Sequence, residues 1–222
     1  MRVYKFLDSH FALKILSEKR LKISRFDDLN DPFELIPYNL ANQKQRWALQ
    51  AMRRQLGHNR GMLCFSATWR DPVLWAHYAD RHKGICIGFD LSQEFCKKVN
   101  YVSKRLPFPR SVTMNDGAIA EVILYTKFKN WAYEQEVRSY LTLEDQENGL
   151  FFAEFGDALK PFAVIAGARC ITPQEKIIQA LGPLSKQVEL VKARAGFRRF
   201  EIVKDRRGFA PHPIDHDDAD LS

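Results

Sequence analysis

The chain has 222 residues, of which 45% are hydrophobic and 27% charged. That is the balance of a soluble globular protein of one large domain or two small ones, and it excludes a collagen, a coiled-coil rod and a wholly disordered chain. Lys and Arg number 34 against 27 Asp and Glu, a net charge of +7. The last nine residues hold four aspartates and no Lys or Arg, so residues 1–213 alone carry +11. A basic body of this kind attracts nucleic acid, nucleotides or other polyanions.

Taken in chain order, Arg2–Leu7 is predicted as a strand. Asp8 or Ser9 caps a helix to about Arg20, with Ala12, Leu13, Ile15 and Leu16 on its apolar face. Leu21–Arg25 is a second strand, and residues 26–37 form a loop that Asp31-Pro32 keeps from being helical. A helix is expected over Asn42–Leu56 and a buried strand over Met62–Ser66. Asp71-Pro72 then opens a helix bearing Leu74, Trp75 and Tyr78. Gly84–Leu91 alternates as a strand, with Ile85, Ile87, Phe89 and Leu91 on one face. Ser92 caps a short helix to about Lys98, and residues 105–117 form a loop. Glu121–Tyr125, Glu136–Leu143 and Phe162–Ala166 are expected strands. Thr172-Pro173 opens a last helix, and Val188–Ala193 with Phe200–Lys204 form a hairpin. The whole reads as one α+β domain over 1–207, mostly antiparallel, followed by a disordered acidic tail over 208–222.

The four cysteines, Cys64, Cys86, Cys96 and Cys170, lack metal-site spacing. Neither a dinucleotide-binding glycine motif nor a phosphate-loop lysine motif is present. Met1–His10 have no apolar stretch of the kind a secretory leader carries, so none is expected, and no apolar run is long enough to span a bilayer. The expected location is the cytoplasm, with no membrane partner.

Several segments carry candidate chemistry. In Trp131-Ala132-Tyr133-Glu134-Gln135-Glu136-Val137-Arg138, a strand would place Glu134, Glu136 and Arg138 on one face. One carboxylate can orient a ribose hydroxyl and stabilise positive charge at an anomeric carbon, and a second can position an acceptor. The same residues also suit a solvent face of cross-strand ion pairs. Ser66 and Thr68 end a buried strand. Trp75 and Tyr78 share a helix face, and Lys5 stands out on an apolar strand.

Together Tyr4-Lys5-Phe6, Leu29 to Glu34, Cys64-Phe65-Ser66, Trp75 to Asp80, Lys83 to Asp90 and Trp131 to Arg138 resemble a bacterial family known as domain of unknown function 2971. The order of these pieces is also similar, more remotely, to the ADP-ribosyltransferase fold, a split antiparallel sheet with helices. That resemblance implies NAD as substrate and no metal. It puts Lys5 on the NAD phosphates, joined by Arg138, and Ser66 and Thr68 in the nicotinamide pocket beside the Tyr78 helix. Trp131 or Tyr133 falls on the aromatic loop, Glu134 at the acceptor-directing position and Glu136 at the catalytic acid. The expected reaction is nicotinamide displacement and ADP-ribose transfer to a nucleic-acid or acidic protein acceptor, as in toxins and phage-defence effectors. The sequence departs from that pattern in carrying Lys where such enzymes usually have Arg or His, and in a shortened serine motif. Two other readings stand beside it: a non-catalytic module for nucleic acid or an acidic partner, and a metal-dependent nuclease using Asp31, Glu34, Glu134 and Glu136.

Overall fold

The computed structural model describes residues 1–110 and 116–209. The chain opens with strand β1 (Arg2–Leu7), helix α1 (Ser9–Glu18) and strand β2 (Arg20–Ile23). Asp8 caps α1 by accepting a hydrogen bond from the Phe11 amide, as its sequence predicts. Helix α2 (Gln43–Gly57) starts with a reciprocal cap between Asn42 and Gln45. Strand β3 (Arg60–Ser66), helix α3 (Pro72–Tyr78) and strand β4 (Ile85–Leu91) follow.

The expected helix from Ser92 to about Lys98 does not form. A single 3-10 turn at Gln93–Phe95 leads into β5 (Lys97–Lys98) and β6 (Asn100–Val102). The strand expected at Glu121–Tyr125 is the second half of helix α4 (Gly117–Tyr125). Its apolar run fits either structure, and Asp116 decides the matter by capping the amides of Ala118 and Ile119. Beyond it come β7 (Thr126–Phe128), β8 (Glu136–Thr142), β9 (Phe151–Glu154) and β10 (Leu159–Ala166). Helix α5 (Gln174–Leu181) and the β11 (Glu189–Ala195) and β12 (Ile202–Lys204) hairpin complete the described chain. Of the expected acidic tail, residues 210–222 lie outside the described residues.

The protein is a mixed α/β structure around a curled, largely antiparallel sheet in the order β12-β11-β10-β4-β1-β3-β8-β5. The β10–β11 pair is parallel, and α5 makes the crossover between them. Alternation along β4 divides the core. Ile85, Ile87, Phe89 and Leu91 face α1 and α5, while Cys86 faces α3 beside Phe6, Leu74 and Trp75. A third apolar cluster joins α2 and α4 through Leu49, Met52, Ile119 and Ile123 over Met62.

One feature of the register positions the site. β1 pairs with β4 along its whole length, from Arg2 opposite Asp90 to Leu7 opposite Ile85. On its other side β1 meets β3 at Tyr4 opposite Ser66, and no further register pair joins the two strands. β3 instead follows β8, from Arg60 opposite Thr142 to Ser66 opposite Glu136. The sheet therefore opens between β1 and β3.

Candidate active site

A cavity of about 470 Å³ occupies this opening, within the size range of small-molecule sites, roughly 300–1,000 Å³. β1 contributes Tyr4, Lys5 and Phe6, and β3 contributes Cys64, Phe65 and Ser66. Helix α3 adds His77 and Tyr78, the loop after β2 adds Asn30 and Glu34, and Lys127, Glu134 and Glu136 close the wall. The Lys5 ammonium spans the gap and donates to the Cys64 carbonyl at 3.0 Å.

Behind the wall lies a buried charge network. Lys127 lies 3.0 Å from Glu34, 2.6 Å from Glu134 and 3.0 Å from Glu136. Arg138 has no exposed surface. Its Nε donates to Glu136 at 2.7 Å, Nη2 donates to Glu34 and Glu136 at 2.9 Å, and Nη1 donates to the Leu124 carbonyl at 2.8 Å. Burial penalises the charge of each group, but the pairing outweighs it. Arg138 and Lys127 hold the Glu136 carboxyl at about 2, and the three carboxylates hold Lys127 above its ordinary range. Glu136 is thus a carboxylate throughout the neutral range.

Glu134 reaches the same place by another route than expected. It does not lie on the strand with Glu136 and Arg138. It ends a 3-10 helix over Lys129–Glu134, and Gln135 turns the chain in the left-handed region at φ 45°. Only Glu136 and Arg138 share a strand face, as alternation predicts. Leu35, beside Glu34, has φ 60°. A non-glycine residue there costs about 1–2 kcal/mol, so strained backbone stands next to each of the three clustered acids. The Tyr78 hydroxyl donates to Glu134 at 2.5 Å. Burial and then that carboxylate raise the Tyr78 pKa, keeping it a donor.

The other predicted residues take supporting positions. The Ser66 hydroxyl accepts the Thr68 amide at 3.1 Å, and the Thr68 hydroxyl accepts the Arg70 amide at 3.1 Å. Ser66 lines the cavity, whereas Thr68 shapes the turn that leads to α3. Tyr133 stands behind the wall, its hydroxyl 3.0 Å from His77 Nδ1. The Trp131 ring lies 5.0 Å from the Lys127 ammonium, a cation–π contact. Arg138 cannot touch a ligand's phosphates, since it is enclosed behind the carboxylates. Asp31 shapes the turn into Glu34: its carboxylate accepts the Phe33 amide and its carbonyl accepts the Glu34 amide.

Two members of the site had no signal in the sequence. Lys127 sits in a three-residue strand formed by parallel pairing with β6. Tyr101, on β6, accepts the Glu136 amide at 2.8 Å. Of the acids that the nuclease reading needs, Glu34, Glu134 and Glu136 do come together, around the Lys127 ammonium. Among the described residues no group of His, Cys, Asp and Glu is arranged to hold a metal ion, and no helix is long and apolar enough to cross a membrane.

Compared with models of protein families, with curated proteins and with solved structures, the chain finds no match.

Proposed function

We propose that the cleft between β1 and β3 binds NAD, displaces its nicotinamide and passes ADP-ribose to an acceptor. One observation carries this reading. Lys5, Ser66, Glu134 and Glu136 come from distant segments and line a single cavity. The order of sequence motifs that resembles the ADP-ribosyltransferase fold supports it further, as does the opening of the sheet at β1 and β3.

In this reaction the bond between ribose C1′ and the nicotinamide nitrogen breaks. Nicotinamide leaves neutral with the bonding pair, and positive charge develops on the ribose. Glu136, held ionised by Arg138 and Lys127, supplies a fixed negative charge for that state. Glu134 orients the acceptor and takes its proton, with the Tyr78 hydroxyl fixing the carboxylate. Lys5 offers positive charge to the pyrophosphate. Arg138 acts on the reaction through Glu136 and is a positioning residue.

A second reading has its own support. Glu136 already accepts hydrogen bonds from Lys127 and from two Arg138 nitrogens. In a non-catalytic module the three carboxylates would serve only to neutralise the two buried cations. Nicotinamide release from NAD separates the readings. Release by the wild type, lost in Glu136→Gln and weakened in the folded Lys5→Ala variant, supports the enzyme. No release with or without nucleic acid or cell extract, together with no NAD binding, supports the binding module.

A further inference from the structure

The two most exposed aromatic side chains among the described residues stand outside the cavity lining, on the loop joining β11 to β12. Phe197 is 88% exposed and Phe200 fully exposed. Between them stand Arg198 and Arg199, both exposed and without an ion-pair partner among the described residues. From Arg194 to Arg207 the hairpin holds six basic residues (194, 198, 199, 204, 206 and 207) against two acids (201 and 205), a net +4 within a chain of +7.

The loop has a defined shape. The Gly196 amide donates to the Glu201 carbonyl at 2.8 Å, and the Glu201 amide to the Arg199 carbonyl at 2.9 Å. A Cβ on Gly196 would lie 2.9 Å from both carbonyls, so the turn needs glycine. The Ile202 amide binds the Arg70 carbonyl at 2.8 Å, fastening the hairpin to the segment that runs back to Ser66. Cations already lie over rings at both places: Arg194 is 4.3 Å from the Phe197 centroid, and Arg70 is 5.2 Å from that of Trp69.

We propose that this hairpin is a binding arm for single-stranded nucleic acid. Exposed rings give stacking platforms for bases of any sequence, and interleaved guanidinium groups hold the phosphates between them. The alternation favours this partner over a lipid surface. Sinking Phe197 and Phe200 into acyl chains would draw Arg198 and Arg199 toward hydrocarbon, where a charged side chain is strongly disfavoured. An acidic protein would answer the arginines and leave both rings without a stacking partner. The inference rests on the hairpin alone and stands apart from the NAD reading.

The test is fluorescence anisotropy of a labelled 20-nucleotide oligothymidylate, with the full chain at low salt and over a salt series. Binding is expected to weaken with salt. Phe197→Ala with Phe200→Ala should lose about tenfold in affinity for each ring that stacks, with the salt dependence little changed. Arg198→Ala with Arg199→Ala should flatten the salt dependence, since each phosphate contact on a single strand contributes about 0.7 to its slope. These side chains are on the surface, so unchanged melting temperatures show that both variants fold. Wild-type affinity in the double phenylalanine variant would overturn the proposal. So would equal binding of heparin by the wild type and that variant with no preference for the oligonucleotide, or binding to phosphatidylserine vesicles with none to the oligonucleotide.

Discussion

The Lys127 ammonium lies 2.6 Å from the Glu134 carboxylate, although 3-10 helical backbone separates the two residues along the chain. The contact draws the wall of the cleft together, because the same ammonium also reaches Glu34 and Glu136. Removing one partner from a buried ionic cluster leaves the others uncompensated, at a cost of about 3–5 kcal/mol. Lys127→Met should therefore lower unfolding stability by about that amount in urea titrations at neutral pH. Glu34 and Glu136 would keep Arg138, whereas Glu134 would keep only the Tyr78 hydroxyl. A wild-type-like stability would show that the cluster contributes nothing to the fold.

The wild type should lose stability on the acid side through Glu136. Glu136 is held at about 2 against an ordinary 4.5. Its contribution is fully present above the unfolded value and is lost as pH falls through the folded one. The difference corresponds to about 3 kcal/mol, disappearing between pH 4.5 and 2. Urea midpoints across that window should fall more steeply for the wild type than for Glu136→Gln.

Glu134 and Glu136 should separate by reaction step. Glu134→Gln keeps a side chain that can accept from Tyr78 and loses the base. Nicotinamide release should persist in this variant, while ADP-ribose transfer to an acceptor falls about 100-fold. Chromatography of the products distinguishes free ADP-ribose from modified acceptor. Equal loss of both steps would place Glu134 in nicotinamide displacement itself.

Lys5 should report on binding more than on chemistry. Its ammonium makes one hydrogen bond within the protein, to the Cys64 carbonyl. Lys5→Ala should raise the KM for NAD about tenfold with kcat little changed. The melting temperature should move by no more than a few degrees. A fall in kcat with KM unchanged would place the ammonium at the reacting atoms.

The sequence foretold the parts of this structure that depend on local pattern. β1, β3, β4, β8 and β10 were legible because each carries enough apolar residues to be buried on one face or both. The Asp8 and Asp71 caps were legible for the same local reason. The apolar run of α4 misled, since Ile119, Val122, Ile123 and Leu124 suit a strand as well as a helix, and the deciding signal was Asp116 outside the run. β5, β6, β7 and β9 are four residues or fewer, and pairing with distant segments creates them. Of the site, Lys5, Ser66, Tyr78, Glu134 and Glu136 could be named from sequence. Lys127 could not, because its place among three acids depends on β7 pairing with β6.

Hydrogen exchange with and without NAD most directly tests whether the opening between β1 and β3 is the nucleotide site. The account predicts that saturating NAD slows exchange in Tyr4–Phe6, Cys64–Ser66 and Glu134–Arg138, with little change in α5. Protection confined to other segments, or no change at saturating NAD, would contradict it.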